Sequence, residues 1–275
     1  MKHIDNGSDK IKFQRNLKIY ILVTFGFSWL MWLPLVINHM WNARLPVLPI
    51  QHYLASFGPL VGAIVTSSIS DGWSGVVKWG QRAFSLRFSL KWLLIAIGLP
   101  VVYGIVAMAV HRIITGIWPD WSQFGLTAKL PGLNIWLTAV VWMVTYGLGE
   151  ESGWRGYLLP ELFRHYSLLK ASLIVAAIWI LWHLPAFGFN PNYINMGFGV
   201  IGWTISLAYG SLLLSWICQG SSWSIIPVIL WHAGFDLLTA SDQAATIMAA
   251  VCSMLVIVHG IYLSRRLSVI KSNAI

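Results

Sequence analysis

Charge is what this chain has least of. Of its 275 residues only 10% are Asp, Glu, Lys or Arg, against 57% hydrophobic and 17 Trp. A soluble domain carries about 25% charged residues. The 27 charges present cannot clothe the two globular domains that the length alone would suggest. Cysteine is almost missing: Cys218 and Cys252 both fall in apolar runs, which excludes a disulfide framework and reads as buried free thiols. The same composition excludes disorder and collagen-like repeats. What remains is a polytopic membrane protein.

A spanning helix needs about 20 mainly apolar residues. Eight segments qualify, at about 19–37, 53–70, 92–111, 134–159, 171–188, 197–218, 223–240 and 245–263. The fold class expected is therefore all-α, a bundle of about eight transmembrane helices forming one polytopic membrane domain over 1–275. The fourth segment carries Glu150, Glu151 and Arg155 in its C-terminal half. Residues 71–91 mix Trp73, Val76, Val77 and Trp79 with Lys78 and Arg82, which suits an interfacial stretch rather than a span.

Lys and Arg outnumber Asp and Glu by 18 to 9. In a soluble protein this would raise nucleic-acid binding; in a membrane protein it reports topology. Loop by loop, 15 basic residues fall on the side of the termini, Arg155 among them, and Arg44, Arg112 and Lys129 on the other. The expectation is an integral multi-pass protein of a bacterial plasma membrane, with both termini cytoplasmic, membrane lipid as its surroundings and no nucleic acid as partner.

Acids are scarcer still, and three of the nine (Glu150, Glu151 and Asp236) fall inside spans. Intramembrane charges cost about 2.5–3.5 kcal/mol each on insertion scales and default to functional candidates. Four residues apart on a helix, Glu151 and Arg155 face each other and can pair. Glu150 points about 100° away and keeps no such partner, so it is the carboxylate free for chemistry. His183 lies late in the fifth span; His232 lies in the seventh, with Asp236 one turn on and on the same face. At about 1.5 Å per residue the two histidines and Glu150 sit about 14–21 Å from one membrane face, so all can share a layer. Each taken singly has a duller reading: a helix-to-helix hydrogen bond for His183, interfacial anchoring for the acids, a structural pair for His232 and Asp236. Together they describe a site.

The run from Glu150 to Pro160, with Glu150-Glu151 and Arg155, resembles the EExxxR motif of the CPBP family, the CAAX proteases and bacteriocin-processing enzymes. Trp179 and His183 resemble its second motif, an aromatic residue and a His with three residues between them, with Trp in place of the usual Phe. His232 and Asp236 resemble its third, a His followed by Asn or Asp. Order and spacing agree over about 145–240, and residues 57–63 are more loosely similar to the family's second helix.

The resemblance implies an eight-helix intramembrane endopeptidase acting on a membrane-associated or lipidated peptide or protein. Glu150 would be the general base on water, His183 would position that water, and His232 with Asp236 would stabilise the oxyanion. Glu151 and Arg155 would hold the site in shape. The cofactor is either none or Zn²⁺; if a metal is bound, Glu150, His183 and His232 would be its ligands. Two other functions use the same residues: a non-catalytic member of this scaffold, binding a peptide as an immunity or regulatory protein, and a proton- or metal-coupled transporter.

Overall fold

The computed structural model describes residues 6–127, 130–241 and 246–271. Lys2 and Lys129 of the charge count, and the first residue of the eighth expected span, lie outside the described residues. All regular structure among the described residues is helical.

Eight rods follow one another: α1 (Asn6–Trp41), α2 (Gly58–Ala83), α3 (Leu90–Thr115), α4 (135–163), α5 (Leu168–Trp182), α6 (Gly199–Gly220), α7 (Ile226–Thr239) and α8 (Thr246–Val269). They coincide with the eight expected segments, although several run well past the hydrophobic stretch that announced them. Six helical stretches, which contain α1, α2, α3, α5, α6 and α8, are long and apolar enough to cross a membrane. The other two rods, α4 and α7, carry the acidic motif and the second histidine, and they depart from the simple plan in different ways.

Local chemistry sets the boundaries. Asn134 opens α4 by accepting from the Leu137 amide at 3.0 Å, and Ser167 opens α5 by accepting from Lys170 at 3.3 Å. Pro59 and Pro227 occupy the first turns of α2 and α7, where a missing N–H costs nothing. α3 closes on Gly116 at φ 76°, a left-handed cap. Inside α2 the helix breaks at Asp71 and Gly72, the latter at φ 64° and ψ −162°, a conformation reserved for glycine. The break comes where the second expected span ends, so the amphipathic stretch expected from 71 onward is helical but set off from the span by a kink.

Packing follows from the same residues. α1 lies along α2, with Ser28 donating to the Ala55 carbonyl at 2.7 Å. α8 packs between α6 and α3, α3 runs beside α7, and α4 is enclosed by α2 and α7. The outer surface is apolar: Leu94, Ile97, Val101 and Ile105 form an exposed stripe on α3, as expected of a lipid-facing rod. Cys218 and Cys252 are free and buried. The start of α1 and the ends of α4 and α8 share one end of the bundle, joined by Arg164 to Asp9 at 3.6 Å and by the Leu168 amide to the Ile270 carbonyl at 3.1 Å.

Close approach of backbones explains a glycine in the acidic motif. A Cβ on Gly153 would lie 2.4 Å from three atoms of Pro59, two of them backbone. Gly153→Ala is expected to destabilise the fold by about 1–3 kcal/mol through overpacking. Gly80→Ala, with open space around it inside a helix, should raise stability slightly, by about 0.5–1 kcal/mol. Unfolding in detergent with equal midpoints for the two variants would show this reading of the α2–α4 contact to be wrong.

Candidate active site

The chain changes its winding where the acidic motif begins. Within α4, Met143–Glu150 and Trp154–Leu158 are wound as π-helix on either side of a short α-helical turn, Glu151–Gly153. π-turns inside helices are rare and concentrate at functional sites. Their effect here is to put Glu150 and Glu151 at a junction, both buried and facing α5 and α7.

Glu151 and Arg155 pair as the i, i+4 spacing requires, at 2.9 Å, and both side chains are completely buried. Glu151 also accepts a hydrogen bond from His232 Nδ1 at 2.8 Å. One carboxylate thus joins a cation on its own rod to a histidine on α7. Glu150 turns away from Arg155 and accepts from the indole N–H of Trp179 at 2.8 Å. Only one of its oxygens, Oε2, is used in this way.

Trp179 is the centre of the arrangement. The Arg155 guanidinium lies 4.6 Å from its ring, and the His232 and His183 rings lie at 5.5 and 5.9 Å. The sequence singled out Trp179 only as half of a motif. A buried indole N–H nevertheless needs an acceptor, and an unpaired intramembrane carboxylate needs a donor, which was the available signal for this contact.

His183 ends α5, and its Nδ1 meets the Trp179 carbonyl at 2.7 Å. A carbonyl only accepts, so Nδ1 carries the proton and a neutral His183 presents Nε2 as an acceptor. Tyr193 and Trp203 pack on the His183 ring with centroids at 5.8 and 5.4 Å. Asp236 is the most peripheral of the residues singled out. Its carboxylate stands 3.7 Å from His232 Nε2, beyond a hydrogen bond, and its side chain is 16% exposed.

The structure bears on the conditional ligand set and on one of the counted charges. No three His, Cys, Asp or Glu side chains among the described residues are grouped to hold a metal ion, so Glu150, His183 and His232 do not form a ligand triad as placed. Each side chain instead turns one polar atom to another partner, Glu150 Oε2 to the Trp179 indole among them. His232 turns one nitrogen to Glu151 and the other toward Asp236, and His183 turns Nδ1 to its own helix. Arg155, counted among the loop cations, is instead fully buried in the site and carries no topological information.

Residues 132–238 match the family model described as type II CAAX prenyl endopeptidase Rce1-like. A relative, CAAX prenyl protease 2 of Methanococcus maripaludis, is 25% identical over 234 residues, covering 80% of this chain and 82% of that protein. The matched stretch contains all three motifs and every side chain of the cluster around Trp179. Over the stretch that holds the site, the chain is thus similar to CAAX-type prenyl endopeptidases.

Proposed function

We propose that the protein is an intramembrane endopeptidase in which Glu150 activates water against a peptide carbonyl. The observation that carries this reading is the division of labour between adjacent carboxylates. Glu151 is consumed by Arg155 and His232, whereas Glu150 spends one oxygen on Trp179 and keeps the other. In hydrolysis the free oxygen of Glu150 takes a proton from water, and the hydroxyl adds to the carbonyl carbon. When the C–N bond breaks, the same proton goes to the leaving amine. His183 Nε2 accepts the second water hydrogen and fixes the direction of attack.

His232 takes the oxyanion. As an imidazolium it has an N–H at each ring nitrogen: Nδ1 donates to Glu151, and Nε2 is left to donate to the developing charge. Asp236 acts through His232, as a nearby counter-charge. His232→Ala is expected to lower turnover by about 10²–10³-fold, the usual cost of an oxyanion donor. Turnover within a few-fold of wild type would remove His232 from the mechanism.

The substrate class is a membrane-anchored protein or peptide, with a lipidated C-terminus as the type suggested by the relative's name. The basic residues near the end where α1 starts and α8 stops support a cytoplasmic side for both termini. The decisive experiment compares protein termini in membrane fractions from cells carrying wild type or Glu150→Ala. Termini that arise only with wild type identify substrates; identical sets would leave the scaffold a binder rather than an enzyme.

A further inference from the structure

A second polar site lies away from the Trp179 cluster, at the end of the bundle that holds both termini. A cavity of about 330 Å³ opens between the first turns of α1, the kinked half of α2 and the end of α4. The kink at Gly72 shapes one wall, since it swings the 73–83 stretch away from the axis of the preceding span.

The lining combines three acids with four fixed cations. Each acid is already met: Asp71 by Lys12 at 2.8 Å, Glu161 by Arg164 at 3.5 Å and Asp9 by Arg164 at 3.6 Å. Lys78 and Arg82 have no carboxylate partner among the described residues. Arg82 gives one N–H to the Gly156 carbonyl at 2.8 Å, but its buried Nε–H has no acceptor. Trp79, 7% exposed and lining the same cavity, also has a buried indole N–H without an acceptor. Orphaned buried donors are rare and call for a partner. Here Arg82 and Trp79, which carry two of them, line one cavity with the exposed Lys78 ammonium, and the common complement of these groups is an anion rich in acceptor oxygens.

We propose that this cavity binds a phosphate group, held by Lys78, Arg82 and Trp79. A lipid headgroup and a free phosphate offer the same chemistry. The position, where half-exposed Lys12 and Arg164 mark the mouth and Trp79 the floor, places the site at headgroup level. The assignment does not depend on the catalytic roles given to Glu150 and the histidines.

The test is native mass spectrometry of the full chain in micelles doped with phosphatidylglycerol or with diacylglycerol of the same acyl chains. Retention of the phospholipid and not of diacylglycerol is the expected result. Lys78→Glu, at an exposed position, should weaken that retention by about tenfold, or 1.4 kcal/mol. Trp79→Phe, which keeps the ring and removes the N–H, should weaken it in the same direction. Arg87→Glu, a charge reversal at the same end but outside the cavity, should leave it unchanged. Displacement of the lipid by millimolar inorganic phosphate would make free phosphate the ligand, and failure to displace it would make the ligand the lipid. Equal retention of both lipids would overturn the proposal. So would a loss with Arg87→Glu as large as with Lys78→Glu.

Discussion

Glu150→Gln is expected to lower peptide cleavage by about 10²–10⁴-fold, the contribution of a positioned general base. Gln suits the test better than Ala because its shape is conserved. Its side-chain oxygen can still accept from the Trp179 indole, so the one hydrogen bond that holds Glu150 is kept. What is removed is only the capacity to take a proton from water. The prediction therefore pairs two measurements, an unchanged unfolding midpoint and a lost rate against any substrate revealed by the comparison of termini. A Glu150→Gln protein that cleaves at the wild-type rate would end the mechanism proposed above. A variant that unfolds would direct attention to Glu150→Ala and Glu150→Asp, where the same loss of rate is expected in whichever protein stays folded.

Arg155→Met should produce the largest change in stability, about 3–5 kcal/mol, because it leaves the Glu151 carboxylate buried without its counter-ion. Equilibrium unfolding in mixed micelles measures it. The pair itself is not a source of stability on this argument, since taking two charges out of water offsets much of their attraction. The double variant Glu151→Leu/Arg155→Met should accordingly recover most of the loss. It should still be inactive, because His232 has lost the carboxylate that orients Nδ1. Arg155 also lies against Trp179, so Met preserves apolar contact there while deleting the charge. If the double variant is less stable than Arg155→Met alone, the ion pair is a stabilising element and this account of it fails.

Much of this arrangement was legible in the sequence, for identifiable reasons. The eight rods could be read because apolar length is a strong signal in a chain with so few charges. The Glu151–Arg155 pair could be read because i, i+4 geometry is local. The change of winding in α4 could not, and neither could the close approach of Pro59 of α2 to Gly153, which the packing of separate rods decides. Nor could the link from Glu151 to His232, which joins residues 81 positions apart through tertiary packing alone. Whether Glu150, His183 and His232 gather as a ligand set was not legible for the same reason. Ligand types were present at a common depth, but the direction in which each side chain turns is decided by neighbours on other rods. Arg155 shows the converse error, a residue whose charge looked like a loop signal until burial gave it a different task.

The brevity of α7 bears on the second reactant. Its 14 residues measure about 21 Å at 1.5 Å per residue, against about 30 Å of hydrocarbon in a typical bilayer. A rod this short is mismatched with its solvent, and mismatch is relieved by thinning the bilayer or by leaving the rod's end short of the surface. Asp236 sits on the last turn of that rod, partly exposed, and His232 one turn before it. Hydrolysis consumes one water for each bond broken, in a medium that holds almost none. On the mechanism proposed above, the shortness of α7 would bring the aqueous boundary inward on the side of the site where that water is used.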